Sequence, residues 1–301
     1  MTTLPPDRSH VRTEQRNTRS ERLHQLDVSD LVTLINQENR LVLAAMDNAA
    51  QSLSTFLSDI EADFIAGGRI IYLGAGTSGR LGVLDASEAP PTFHVDPSRF
   101  VGIIAGGDSA LRRSSEGMED DPNGADVALS ALQLNSRDTV IGIAAGGTTP
   151  YALGAVRFGK AAGAHTAFIS CSPIKCPAHT DHLIVLDSGP EVLTGSTRMK
   201  AGTVTKLALN TISTALMVRS GKVYGNLMVD VRATNAKLRD RAARIIATLT
   251  GLDRNASFAL LNAAAGSAKT AVVMHHRTCD LEKAEQLLKN NNGRLDRIIK
   301  G

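Results

Sequence analysis

The chain has 301 residues, 43% of them hydrophobic and only 3% aromatic with no Trp, and 33 basic against 30 acidic residues leave a formal charge of +3. That length supports one large α/β domain and a small accessory unit, while the scarce aromatics and dispersed charge argue against a surface that stacks bases or tracks a nucleic-acid backbone. Cys171, Cys176 and Cys279 form no disulfide framework, and neither a signal-like apolar segment nor a run of membrane-spanning length is present, so the cytoplasm is the expected location.

Residues 1–28 are polar and carry Pro5-Pro6 and several Arg, which predicts an extended or loosely ordered N-terminal arm. From Ser29 the pattern changes. Leu31, Leu34, Ile35 and then Leu41 through Ile65 recur at helical spacing and stop at Gly67-Gly68, so one or two long helices precede the first strand. Short apolar runs bounded by glycine follow at residues 69–73, 101–104, 139–144, 166–170 and 183–186, most of them separated by helical stretches. This alternation predicts a five-stranded parallel sheet in a doubly wound, three-layer α/β sandwich. Residues 199–220 read as a buried helix, and beyond about Arg239 only helical patterns remain. The expected division is an arm (1–28), an α/β domain with its N-terminal helices (29–238, core about 60–223) and a helical C-terminal subdomain (239–301).

In such sheets ligands bind beyond the carboxyl ends of the strands. Three consecutive strand ends here carry Gly-rich loops: Gly74 to Gly79, Ala105-Gly106-Gly107 and Ala145-Gly146-Gly147-Thr148-Thr149. Gly74, Gly76 and Gly79 satisfy a dinucleotide fingerprint, but the second strand lacks the acidic residue at its end that such a site uses on a ribose. Thr77 and Ser78 instead place two hydroxyls beside backbone N–H groups at a helix start, which suits the several acceptor oxygens of a phosphate monoester. Thr148 and Thr149 before Pro150 repeat that chemistry, although any one of these hydroxyls would serve equally as an N-cap. The candidate phosphate-binding residues are therefore Gly76, Thr77, Ser78, Gly79, Gly147, Thr148 and Thr149.

Two carboxylates and two decoys need placing. Glu88 stands before Ala89-Pro90-Pro91, near the negatively polarised end of the helix that begins in the first loop, a setting suited to a proton donor but also common for an exposed Glu. Glu116, Glu119, Asp120 and Asp121 form an acidic run that reads as a solvated cap, with Asp121 as N-cap and Pro122 at the first helical position. Cys176, His179 and His182 have metal-like spacing, but Pro177 interrupts it and no fourth ligand is near, so no metal site is assigned; His275-His276 reads as surface or packing.

The segments Ile70 to Glu88 and Thr194 to Thr203 resemble the sugar isomerase (SIS) domain of the bacterial N-acetylmuramic acid 6-phosphate etherases, a family related to glucokinase regulatory protein. Thr13-Glu14-Gln15-Arg16-Asn17 and Asn226 to Val231 are similar to that family as well, so the likeness runs from residue 13 to the helical tail. It implies the SIS fold, a homodimer, a small-molecule sugar-phosphate substrate and cleavage of a lactyl ether with no cofactor. It also implies catalytic glutamates matching Glu88 and Glu119, the latter through the pattern Glu-Gly-x-Glu-Asp. Ser196, Arg198 and Lys200 in the second segment are further candidates for the substrate's phosphate or carboxylate, or else solvated. One departure stands out: the family's third loop reads Ser-Gly-Arg-Thr-Pro, whereas this chain has Gly146-Gly147-Thr148-Thr149-Pro150 and no hydroxyl at 146. A sugar-phosphate sensor and an aldose–ketose isomerase are the competing readings; a sensor of the transcription-factor kind would need a helix-turn-helix unit, for which the arm is too short.

Overall fold

In the computed structural model, which describes residues 7–231 and 235–299, the helices α1 (Val28–Asn39) and α2 (Leu41–Ile65) lead into the sheet. There follow β1 (Ile70–Gly74), α3 (Gly76–Phe93), β2 (Phe100–Ile104), α4 (Asp126–Ala131), β3 (Thr139–Ile143), α5 (Pro150–Ala161), β4 (His165–Ser170) and β5 (His182–Val185). Pro5-Pro6 lies outside the described residues. The five strands pair in parallel in the order β2-β1-β3-β4-β5, with Gly74 registered against Ile104 on one side and Ile143 on the other. Every residue of β1 and of β3 is buried. Strands buried on both faces require helices on both faces, which is the sandwich that the sequence predicts.

The sheet is locked at its amino edge. Asp138, one residue before β3, is 1% exposed and accepts from Arg69 Nη2 at 2.6 Å, Arg69 Nε at 2.9 Å and the backbone N–H of Asn135 at 2.9 Å. Burial opposes its ionised form, but these donors outweigh it and hold the carboxyl below its ordinary range.

The chain divides into two compact units, one running up to Ser87 and resuming over Ser98–Ile212, the other formed by Glu88–Pro97 and the chain from Ser213 onward. Helix α6 (Lys200–Arg219) carries the chain into the second. That unit holds α7 (Ala236–Thr250), α8 (Arg254–Ala263), α9 (Ala268–Arg277), α10 (Leu281–Asn290) and α11 (Asp296–Ile299), packed on a core that includes Val229, Ile246, Leu261 and Val272. Within it the Lys269 ammonium is buried and donates to Asp230 and to the carbonyls of Gly221 and Gly293, tying the 221–230 loop to the helices. Among the described residues no helix is long and apolar enough to cross a membrane.

Two local expectations change. The arm is not loose: it makes 3-10 turns at Arg12–Glu14, Thr18–Ser20 and Leu23–Gln25 and buries Val11, Thr13 and Asn17. Asp121 does not cap α4. Its carboxylate accepts from the N–H of Asn123 in a turn, and the helix starts only at Asp126 with Ala125 as N-cap, because an Asp side chain that closes on its own backbone two residues on favours a turn.

Candidate functional site

The first Gly-rich loop passes directly from β1 into α3. Gly79 must be glycine there, since a Cβ would fall 2.4 Å from the carbonyl oxygen of Gly74 and 2.6 Å from Ile104 Cγ1. This close approach turns the N-terminus of α3, with its unpaired N–H groups, toward the space above the sheet. Arg80, at the end of the loop, donates to the carbonyls of Ala110 and Leu111 and so fixes the stretch after β2. The third loop runs from β3 into α5, and Thr149 is the N-cap residue with Pro150 in the first turn. The Thr149 side chain makes no capping hydrogen bond, so its hydroxyl is not consumed by the helix.

Between these two loops lies a polar cavity of about 200 Å³. Gly76, Thr77 and Ser78 line it from the first loop, Gly146, Thr148 and Thr149 from the third, and Glu119 from the segment before α4. Glu119 is half-buried, and its carbonyl accepts from the N–H of Tyr151 at 3.0 Å, which ties its segment to the first turn of α5. Gly154 holds the same segment close, for a Cβ there would meet the Pro122 carbonyl oxygen at 1.7 Å. A helix N-terminus, a set of hydroxyls and Glu119 thus line one small volume, an arrangement able to hold a phosphate monoester beside a proton-transfer group.

The other candidates sit elsewhere. Gly79 is packed beneath the loop, and Gly147 faces a neighbouring, largely apolar cavity of about 810 Å³ with Leu153 and Ile174, a cavity that Thr148 also lines. Ser196 and the exposed Arg198 are not among the lining residues, although Thr197 between them is. Lys200 is placed differently from the expectation: its ammonium is 1% exposed and bonds Glu38 Oε2 at 2.6 Å, so the charge is used inside the fold. Glu88 is exposed on α3, in the stretch grouped with the second unit, and is not among the lining residues; the helix continues past it through Pro90 and Pro91 to Phe93. Cys176 donates to the Thr180 carbonyl and His182 meets Asp59 at 3.3 Å, in the loop and first residue of β5. No cluster of three or more His, Cys, Asp or Glu able to hold a metal ion is found among the described residues.

Sequence reasoning missed the arm's share of the cavity. Arg8, Val11 and Glu14 line it together with the two loops. The signal was the burial of Thr13 and Asn17, which a polar composition conceals.

Known proteins resemble this chain along most of its length. A family model, the N-terminal SIS domain of glucokinase regulatory protein, matches residues 48–160. A curated relative from Gloeobacter violaceus, an N-acetylmuramic acid 6-phosphate etherase, is 50% identical over 96% of this chain and 95% of its own length. A second of the same name, from Synechococcus elongatus, is 49% identical over 96% of this chain and 94% of its own. Among solved structures, E. coli CFT073 c3406 in complex with A5P aligns over 67% of this chain and 97% of that one, at 19% identity and a TM-score of 0.48. At such identity over nearly full length, this chain belongs to the N-acetylmuramic acid 6-phosphate etherase family.

Proposed function

We propose that this chain performs the reaction its family is named for: N-acetylmuramic acid 6-phosphate and water give N-acetylglucosamine 6-phosphate and D-lactate. It is then a carbon–oxygen lyase, acting in the cytoplasm in the catabolism of cell-wall amino sugar, and the homodimer is the form that the family resemblance implies. The observation that carries this reading is the single polar cavity lined by both the phosphate-loop hydroxyls and Glu119.

An ether oxygen is a poor leaving group, so the ring must first open to the aldehyde, which acidifies C2–H. A base removes that proton, the C3–O bond breaks, and an acid gives a proton to the departing lactate oxygen. Water then adds at C3 and a proton returns to C2, which balances the reaction without oxidant or reductant. We assign the proton transfers to Glu119, which lines the cavity, and to Glu88, which rests on the family pattern alone. The hydroxyls of Thr77, Ser78, Thr148 and Thr149 hold the phosphate, whose binding energy keeps the sugar in place while the ether breaks.

The test is turnover of N-acetylmuramic acid 6-phosphate in ¹⁸O-labelled water. The label is expected on the C3 hydroxyl of the amino sugar and not in the lactate, with solvent hydrogen at C2. Binding without lactate release would make the chain a sensor, and a ketose product without lactate would make it an isomerase; either result overturns the assignment.

A further inference from the structure

The cavity contains a second carboxylate that a phosphate site has no use for. Glu14 lines it from the arm and carries the same sign of charge as the anion that such a cradle collects. A phosphate monoester carries between one and two negative charges near neutral pH, and a carboxylate offers only acceptor atoms. Placed against the phosphate oxygens, Glu14 would repel them and leave its own oxygens without donors. It is favourable where it faces donors, and besides Arg8 of the arm a hexosamine 6-phosphate supplies them as hydroxyl and amide N–H groups beside its phosphate.

The arm segment that carries Glu14 is anchored on both sides. On one side the Thr13 backbone N–H donates to Ser172 Oγ at 3.2 Å, and Arg12 pairs with Asp187 at 2.9 Å. On the other, Asn17 Nδ2 donates to Glu38 Oε2 at 2.8 Å and Arg19 Nη1 to Glu38 Oε1 at 2.9 Å. Glu38 is itself fixed by the buried Lys200 ammonium. Glu14 Oε2 rests against Gly195, where a Cβ would stand 3.2 Å away, so the loop before α6 leaves room for the carboxylate. Glu14 is itself exposed, yet the segment that carries it is anchored at residues distant in sequence.

We infer that Glu14 is a substrate-contacting residue that accepts hydrogen bonds from the sugar, not the phosphate, and that Asn17 acts as a positioning residue through Glu38. This rests on the reading of the cavity as a sugar-phosphate site and adds the residue that reads the sugar. The experiment is calorimetric titration of the full chain with N-acetylglucosamine 6-phosphate and, separately, with inorganic phosphate. Glu14→Gln is expected to weaken the amino-sugar phosphate by about tenfold or more, the loss of a hydrogen bond to a charged group, and to leave phosphate affinity within about twofold. Asn17→Ala, which keeps Glu14 but loosens its segment, is expected to show the same split to a smaller degree. Equal weakening of both ligands, or no weakening of either, by Glu14→Gln would overturn the inference. If the intact protein bound neither ligand, the cavity reading itself would fail, and with it this inference.

Discussion

Replacing Lys200 with Met tests whether one buried ion pair organises the part of the cavity that the arm lines. Lys200 and Glu38 are 1% and 2% exposed, and their 2.6 Å contact is reinforced by Asn17 and Arg19 on the same carboxylate. Burial pushes the Glu38 carboxyl up, but the Lys200 ammonium and the Asn17 amide outweigh it and hold the group below its ordinary range. Removing the buried cation leaves the carboxylate to the half-exposed Arg19 and to Asn17, at a cost of about 3–5 kcal/mol. At roughly 2–4 °C per kcal/mol for a unit of this size, that corresponds to a fall in Tm of about 6–20 °C. Replacing both residues, Glu38→Leu with Lys200→Met, removes the two charges together and is expected to recover most of that loss. The double variant still deprives Asn17 and Arg19 of their acceptor, so its affinity for amino-sugar phosphate stays low while its Tm returns. Thermal unfolding and calorimetric titration of the three proteins read both quantities. A Tm shift under about 2 °C for Lys200→Met, or a double variant that binds as well as the unaltered chain, would refute the reasoning.

Three further outcomes follow from the packing. Gly79→Ala drives a Cβ into the Gly74 carbonyl and is expected to cost about 1–3 kcal/mol and to weaken inorganic phosphate binding, measured by urea unfolding and titration. Asp138→Ala breaks the lock at the opposite, amino edge of the sheet and is expected to lower stability by about 3–5 kcal/mol while leaving kcat of the folded fraction unchanged. Because the folded Asp138 titrates below its ordinary 3.8, its contribution is present above that pH and disappears as pH falls through the depressed folded value, so the Tm gap between this variant and the unaltered chain should close in acid. Gly146→Ser restores the hydroxyl that the family carries in the third loop. Its Cβ would lie 3.3 Å from Val11 Cγ1, so the arm must yield by a few tenths of an ångström, and the expected result is tighter phosphate inhibition of turnover.

The sheet and the two loops that line the cavity were legible because their determinants are local. Ile, Val and Thr runs make strands, and Gly with Ser or Thr at a strand end makes an anion cradle wherever it stands. The arm was not legible because its partners are remote: Thr13 bonds Ser172 across 159 positions, and Asn17 needs Glu38 to satisfy its buried amide. Lys200 was misplaced for the same reason, since a Lys near a helix start carries no mark of the Glu38 that neutralises it. Glu191 escaped notice altogether. Its buried carboxylate accepts from the N–H groups of Lys200 and Ala201 and caps α6, although burial keeps the group above its ordinary range despite those bonds. Glu119 could be selected from its acidic neighbours only through the family pattern; what separates it is its lining position and its backbone bond to Tyr151.

The most direct measurement is D-lactate release from N-acetylmuramic acid 6-phosphate by the intact chain and by Glu119→Gln, with inhibition by inorganic phosphate recorded for both. The account predicts a fall in kcat of about 100-fold or more for the variant, the usual worth of a positioned acid or base, with phosphate inhibition unchanged. Full turnover by Glu119→Gln would contradict the assignment of Glu119 to the chemistry.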